Sequence, residues 1–356
     1  MAKKVTMQQI ADYLGVSKFV VSKALSGKGG VSDSTKERVI DAASELGYFT
    51  QKNAYVKQMK NEQVRHPANG SKQSVLVLMP NIRFQTKESL YWGRILDGLS
   101  ARLEERGIGM VIISEQSMDH FMSLLNPDGI LGLIGVGEIN TSLLIEVHRV
   151  GLPIVLVDHE DSLIPCDTLF VNNVDCMIRM TKHLIGIGHT DIQFLGDITY
   201  SRSFKDRWMG YWAAMEDKGL PVDMEERVLT LHGYESSDFL EELKGWIMKR
   251  KKNRTLPTAF VCANDSIAVA AVKTLQELNI SVPGDVSVSG FDNIEDSYQI
   301  RPALTTVNVP KEALGRRAVD KLIERMANPE APFEKVLIAG EIVFRDSMQE
   351  REGRKR

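Results

Sequence analysis

Cysteine is scarce in this chain of 356 residues, and what there is has no framework. Cys166, Cys176 and Cys262 are odd in number, lie far apart, and show neither a CxxC pair nor His/Cys metal spacing. That excludes a disulfide scaffold and a thiolate metal site, and leaves three buried or incidental thiols. No apolar run is long enough to cross a bilayer, so no membrane partner is expected. Lys3 and Lys4 are followed by no apolar stretch and no small-residue cleavage site, so the start does not read as a secretory leader, and a cytoplasmic location is expected. There is no solenoid repeat and no low-complexity segment. Gly135 and Gly137 in LIGVGEIN form only a fragment of a dinucleotide fingerprint, without its helix signal or the following acid. With no nucleophile beside a base, no metal cluster and no phosphate-cradling loop, the chain is not expected to be an enzyme or to need a cofactor.

What is there is the composition of a water-soluble chain of two or three domains, 43% hydrophobic and 26% charged. The net charge of −3 conceals an uneven distribution. Residues 1–60 hold nine Lys and one Arg (Arg38) against five acids, a net of +5; residues 61–74 add +1, which leaves −9 for residues 75–356. A basic head on an acidic body points to an anionic partner for the head, nucleic acid first.

Three short helical patterns fill residues 6–47. Thr6 caps one with Ile10, Ala11 and Leu14 inward, stopped by Gly15. Ser17 caps the next, with Val21, Ala24 and Leu25 as its apolar stripe, stopped by Gly27. Ser32 or Asp33 opens a third in which Val39, Ile40, Ala43 and Leu46 recur up to Gly47. Two helices joined by a tight glycine turn and braced by a third make a helix-turn-helix unit. Lys18, Phe19, Ser22 and Lys23 are then left on the outer face, the one that enters the major groove in this motif.

Residues 61–74, NEQVRHPANGSKQS, read as a polar linker. Beyond it, short continuous apolar runs alternate with amphipathic helices. The runs are VLVLM (75–79), MVIIS (110–114), ILGLIG (130–135), PIVLVD (153–158), IQFLG (192–196), AFVCAN (259–264) and VSVSGFD (286–292). Such runs indicate parallel sheets covered on both faces, and their number suits two Rossmann-like halves. The expected organisation is a helix-turn-helix head with hinge at 1–60, the linker at 61–74, a two-lobed α/β core at 75–350 and a basic tail at 351–356. The fold class is thus α/β with an all-α head. MKRKKNR (248–254) ends a helix, where cations suit the dipole, and is read as a solvated face.

VTMQQIADYLGVSKFVVSKALSG, VSDSTKERVIDAASELGY, HLIGIGHTDIQFLG, SRSFKDRWMGYWAAM, FVCANDSIAVAAVKTLQELNISVPGDVSVSGFDN and RPALTTVNVP resemble the LacI/GalR family of bacterial transcription regulators, in that family's order and over nearly the whole chain. The resemblance implies a DNA-binding head and a core similar to periplasmic sugar-binding proteins, working as a homodimer on a near-palindromic DNA operator. By position in the motif, Lys18 and Phe19 fall at base contacts and Ser22 at a phosphate contact, and Thr6 and Ser17 are further DNA-binding candidates. Lys23 replaces a common guanine-reading arginine and loses its planar two-pronged fit. Phe19 offers no hydrogen bond, and packing on a thymine methyl is expected of it. In the hinge, near Asn53, Lys57 stands where the family has a leucine wedge, so either Val56 or Met59 takes that role or operator kinking is weak. The linker exceeds the family's by about ten residues.

The resemblance also implies a small effector, a sugar or sugar derivative, bound between the lobes at the carboxyl ends of the strands. The positions that match its binding residues are Asp158, Ser203, Arg207, Asn264 and Asp292, with Tyr91 or Trp92 and Tyr234 to stack on an apolar sugar face. Asp265 and Asn293 are expected to satisfy backbone groups. Repression is the expected mode; an activator or a corepressor-dependent regulator uses the same parts, and a sugar receptor without a DNA role is the alternative from another class.

Overall fold

The computed structural model describes residues 6–25, 32, 35, 38–39, 42–43, 46, 73–80, 82, 85–114, 129–220, 228–230 and 237–351. In the head, α1 (Met7–Leu14) begins in a reciprocal cap: Thr6 Oγ1 accepts the Gln9 N–H at 3.3 Å, and Gln9 Oε1 accepts the Thr6 N–H at 2.9 Å. Gly15 ends it at φ 67°, left-handed backbone that glycine adopts without a steric cost. α2 (Lys18–Leu25) is capped by Ser17, whose Oγ accepts the Val20 N–H at 3.2 Å. Ile10, Ala11, Val21, Ala24, Val39, Ala42 and Ala43 close a small buried core, flanked by Leu14 and Leu46. Ser32 Oγ accepts the Thr35 N–H, as the cap of the third helical pattern should. Gly27, Asp33, Ile40, Gly47, the Leu25 side chain, and Asn53, Val56, Lys57 and Met59 of the hinge lie outside the described residues.

The chain divides into two compact units, one made of Met1–Thr86, Ser100–Thr168 and Ala318–Glu334, the other of Lys87–Leu99, Leu169–Arg317 and Lys335–Arg356. The first holds β1 (Ser74–Leu78), β2 (Gly109–Ile113), β3 (Ile130–Val136), α4 (Thr141–Val150) and β4 (Ile154–Val157). α3 (Trp92–Glu105) crosses the boundary between units within its length, and so do β5 (Asp167–Val171) and α10 (Lys311–Ala327). Strand order in the larger sheet is β11-β5-β4-β3-β1-β2, with β11 at Lys335–Ile338, and the pairs among β1 to β4 are parallel. Leu76, Leu78, Leu133, Leu143, Leu156 and their neighbours fill the core.

The second unit is built on a four-stranded parallel sheet, order β7-β6-β8-β9, from β6 (Ile192–Leu195), β7 (Val228–Leu229), β8 (Ala259–Cys262) and β9 (Ser287–Ser289). α5 (Asn173–Gly186), α6 (Arg202–Asp217), α7 (Ser237–Asn253), α8 (Asp265–Glu277) and the short α9 (Glu295–Gln299) belong to the same unit. β10 (Thr306–Asn308) and β12 (Glu341–Val343) pair antiparallel beside it. Each of the seven apolar runs carries a strand. β5, β7, β10, β11 and β12 are the strands that no run announces. No described helix is long and apolar enough to cross a membrane.

Candidate functional site

In the head, burial of Val21 and Ala24 fixes the rotation of α2, and so decides what its other face shows. Ser17, Lys18, Phe19 and Ser22 are exposed, and Lys23 is half-buried. Phe19 keeps 67% of its surface exposed, a large apolar side chain that the head's own core does not take up. Lys23 Nζ lies 5.0 Å from the centre of the Phe19 ring, a cation over an aromatic face. Phe19 and Lys23, four residues apart, thus share one side of a short helix, and Lys18 lies about 100° round it from Phe19.

In the second unit, sheet topology places the carboxyl ends of β8 and β9 beside the start of α6. Arg207, 3% exposed on α6, is held by protein on three sides. Its Nε donates to Asn173 Oδ1 at 2.9 Å, one terminal nitrogen to the Ala263 carbonyl at 2.7 Å, and the other to Asp292 Oδ1 at 3.0 Å. Beneath it lies the Phe291 ring, 3.8 Å from the guanidinium carbon. Asn173 in turn donates to Ser203 Oγ at 3.1 Å. A guanidinium carries five N–H groups, so about two remain for a ligand.

Asn264 uses its Oδ1 to cap α8, accepting the Ile267 N–H at 3.0 Å, while its Nδ2 donates to nothing among the described residues. Asp292 sits at φ 108° and is followed by Asn293 at φ 53°, a strained turn that aims its carboxylate at Arg207. Its Oδ2 likewise has no partner among the described residues. Lys311, buried at the start of α10, donates to the carbonyls of Asp292 at 2.5 Å, Val309 at 3.3 Å and Asn293 at 3.4 Å, and so fixes that turn from behind. Burial lowers the Lys311 pKa, with the charges of Asp292 and Asp265 opposing. Burial raises that of Asp292, with Arg207 and Lys311 holding it back.

Asp265 is wholly buried and spends both oxygens on the fold, accepting the Ile294 N–H at 2.9 Å and the Thr306 hydroxyl at 2.6 Å. Burial first, and the charge of Asp292 second, push its pKa up to about 7. Asn293 is bonded to Arg345, Ser297 and Asn308. Asp265 therefore satisfies a backbone N–H, as expected of it, whereas Asn293 is tied to side chains and not to backbone groups.

Tyr91 and Trp92 meet edge to face at 4.8 Å, and the Ser89 hydroxyl accepts both of their N–H groups. Tyr91 packs against the core of the second unit. Asp158 stands at the end of β4 in the first unit at φ 55°. Tyr234 lies outside the described residues. Three members of the Arg207 cluster escaped sequence reasoning: Asn173, Phe291 and Lys311. Asn173 was within reach, because Asn172-Asn173 follows the apolar run LFV and opens a helix. No group of His, Cys, Asp and Glu among the described residues is arranged to hold a metal.

Residues 6–51 match the sequence profile described as "Bacterial regulatory proteins, lacI family", and residues 181–348 match a periplasmic binding protein-like domain. The HTH-type transcriptional regulator DegA of Bacillus subtilis (strain 168) is 26% identical over 353 residues, covering 97% of this chain and 98% of the relative. A transcriptional regulator CelR–cellobiose complex shares the fold with a TM-score of 0.70 at 21% identity, over 97% of this chain and 100% of that one. The lac repressor dimer bound to operator and the anti-inducer ONPF does so at 0.64 and 23% identity, over 98% and 100%.

Proposed function

The chain belongs to the lacI family of bacterial regulatory proteins and is a DNA-binding transcriptional regulator rather than an enzyme, and from that premise we propose that it is a repressor that reads a near-palindromic operator as a cytoplasmic homodimer and answers to a sugar or sugar derivative. The observation that carries the reading is the outward face of α2. A phenylalanine two-thirds exposed, flanked by two lysines, on a helix whose opposite side is locked into a core, has no packing role among the described residues of the head. In a major groove it has one: Phe19 packs on a thymine methyl, and Lys18 and Lys23 donate to base edges. Thr6, Ser17 and Ser22 contact phosphates, and the hinge around Asn53 and Lys57 approaches the minor groove.

The core supplies the switch. Arg207 keeps about two N–H groups open, Asn264 its Nδ2 and Asp292 its Oδ2, a set of fixed donors and one acceptor that suits vicinal hydroxyls. Ser203 joins the set, and Tyr91 and Trp92 offer stacking faces. The cellobiose in the similarly folded CelR complex supports this ligand class. The effector changes operator affinity only by as much as it prefers one conformation of the core over another.

The test is binding of the intact protein to the promoter upstream of its own gene, by fluorescence anisotropy at several salt concentrations. Selectivity over a scrambled duplex is expected, with loss of both affinity and selectivity in Phe19→Ala. A steep salt slope without selectivity would sink the reading. A thermal-shift panel of sugars, sugar phosphates, amino sugars and purines then identifies the effector class; shifts that persist in Arg207→Ala and Asp292→Ala would remove the site.

A further inference from the structure

We infer that Phe19 and Lys23 read DNA as one unit, whose target is a pyrimidine with a 5-methyl group beside a guanine. The head then accepts 5-methylcytosine in place of thymine, and operator binding senses cytosine-5 methylation. This rests on the operator reading above and names what that face recognises. α2 presents the pair as a fixed object. Ser17 caps the first turn through the Val20 N–H at 3.2 Å, and burial of Val21 and Ala24 sets the rotation of the helix. Phe19, its second residue, is thereby delivered outward with 67% of its surface exposed. One turn on, Lys23 is half-buried, and its Nζ stands 5.0 Å from the centre of the Phe19 ring. The ammonium covers one face of that ring, and the exposure leaves the other face and the rim for a ligand.

A phenyl ring offers neither a hydrogen-bond donor nor an acceptor, so it reads a base edge only through apolar contact. In the major groove the apolar group that distinguishes one base pair from another is the C5-methyl of thymine. The other edge groups are donors and acceptors, which lose water against a ring without gaining a partner. Cytosine and uracil present only a C5 hydrogen at that point. 5-Methylcytosine carries the thymine methyl on the same ring carbon. It differs in its exocyclic group, N4 for O4, and a phenyl ring cannot tell these apart by hydrogen bonding.

Lysine is the complement. Its ammonium donates and never accepts, and guanine shows the paired acceptors O6 and N7 in the same groove. Neighbouring base pairs lie about 3.4 Å apart along the axis and second neighbours about 6.8 Å. Groups 5.0 Å apart on one side of a helix therefore address a single base step rather than two separated positions. Entry into the groove removes water from the ammonium and the ring together, which strengthens the attraction between them. Loss of either side chain then frees the other, so the two contacts are made, or lost, jointly.

The experiment lets the full-length protein select duplexes from a random library, then remakes the selected sequence with single base replacements and titrates each by fluorescence anisotropy. Deoxyuridine replaces each thymine in turn, cytosine and 5-methylcytosine are compared at the same positions, and 7-deazaguanine, which lacks the N7 acceptor, replaces each guanine. Wild type is expected to show one thymine in each half-site at which uracil weakens binding about fourfold, the worth of one buried carbon. At that position 5-methylcytosine should bind about fourfold better than cytosine, and 7-deazaguanine at a neighbouring pair should weaken binding as well. Phe19→Ala should erase the methyl dependence and Lys23→Gln the 7-deazaguanine dependence. The product of their fold losses should exceed the loss of the double variant by about threefold. Selective binding in which every uracil is tolerated, or in which 5-methylcytosine gains nothing over cytosine, would overturn the inference and leave the operator reading standing. So would a methyl-dependent thymine with no sensitive guanine beside it, methyl dependence retained in Phe19→Ala, or single losses that simply multiply. A library that yields no selected sequence would remove the operator reading, and this inference with it. The base replacements alter no residue, so the methyl test on wild type holds whether or not a variant folds.

Discussion

Asp265→Asn removes a buried charge while keeping its shape. Asp265 has no exposed surface, and its pKa stands at about 7 against an ordinary 3.8. The native state therefore holds this proton more tightly than the unfolded chain does. Between about pH 4 and pH 7 the folded form binds more protons, so stability is lost as pH rises through that window. A separation of about three pH units is worth roughly 4 kcal/mol in full, of which roughly 2.5 kcal/mol falls between pH 5 and pH 8. Asparagine has no charge to desolvate. Its oxygen can still accept the Ile294 N–H, and its amide can donate to Thr306 Oγ1, so neither partner is orphaned. From pH 5 to pH 8 the variant should therefore lose roughly 2.5 kcal/mol less stability than wild type. Urea unfolding followed by tryptophan emission reads this directly, because Trp92, Trp208, Trp212 and Trp246, the chain's four tryptophans, all belong to the second unit. Equal pH dependence in the two proteins would refute the reasoning. A wild type that gains stability relative to the variant as pH rises would mean that Lys311, and not burial, governs the carboxylate.

Arg325 gives a contrasting case of a fully paired buried charge: its Nε and one terminal nitrogen grip Asp167 at 2.7 and 3.1 Å, and the rest of its fork serves the carbonyls of Pro329, Ala331 and Pro332. Arg325→Met should cost about 3–5 kcal/mol, by far-UV circular dichroism in denaturant, and Asp167→Leu added to it should recover most of that loss. A β-carbon on Gly98 would collide with the Glu312 carbonyl, and one on Gly315 with the Ile95 carbonyl, where α3 and α10 meet backbone to backbone. Alanine at either position should destabilise by about 1–3 kcal/mol in the same assay. Arg207→Lys keeps the charge but cannot serve Asn173, Ala263 and Asp292 together. It should raise the effector concentration needed for a response by tenfold or more and leave effector-free operator affinity unchanged; an unaltered effector titration would contradict the assignment.

The sequence made the larger architecture legible through continuity. Runs such as VLVLM and AFVCA are buried on both faces, and a strand at the centre of a parallel sheet accepts four such residues in a row. Thr6, Gly15 and Ser17 were equally readable, because caps act within four residues. Distance in sequence is what hid the rest. Lys311 acts on a turn 18 and 19 residues away, Asp167 and Arg325 are 158 apart, and Gln85 fills the space beside Gly137 by bonding to both sides of a loop more than 50 residues on. Asn264 shows a subtler limit. Its residue type was legible, but that one side chain both caps a helix and keeps an amide open emerges only from the geometry.

The backbone at Asp292 bears on how this protein would evolve in the laboratory. Glycine at that position would relieve a φ of 108° worth about 1–3 kcal/mol, and would take away the carboxylate that Arg207 grips. The loss is the larger of the two, because it leaves the buried Arg207 charge unpaired at about 3–5 kcal/mol, so glycine there should lower both abundance in the cell and effector-dependent expression of a reporter, and the strained backbone is held in place by the ion pair it creates.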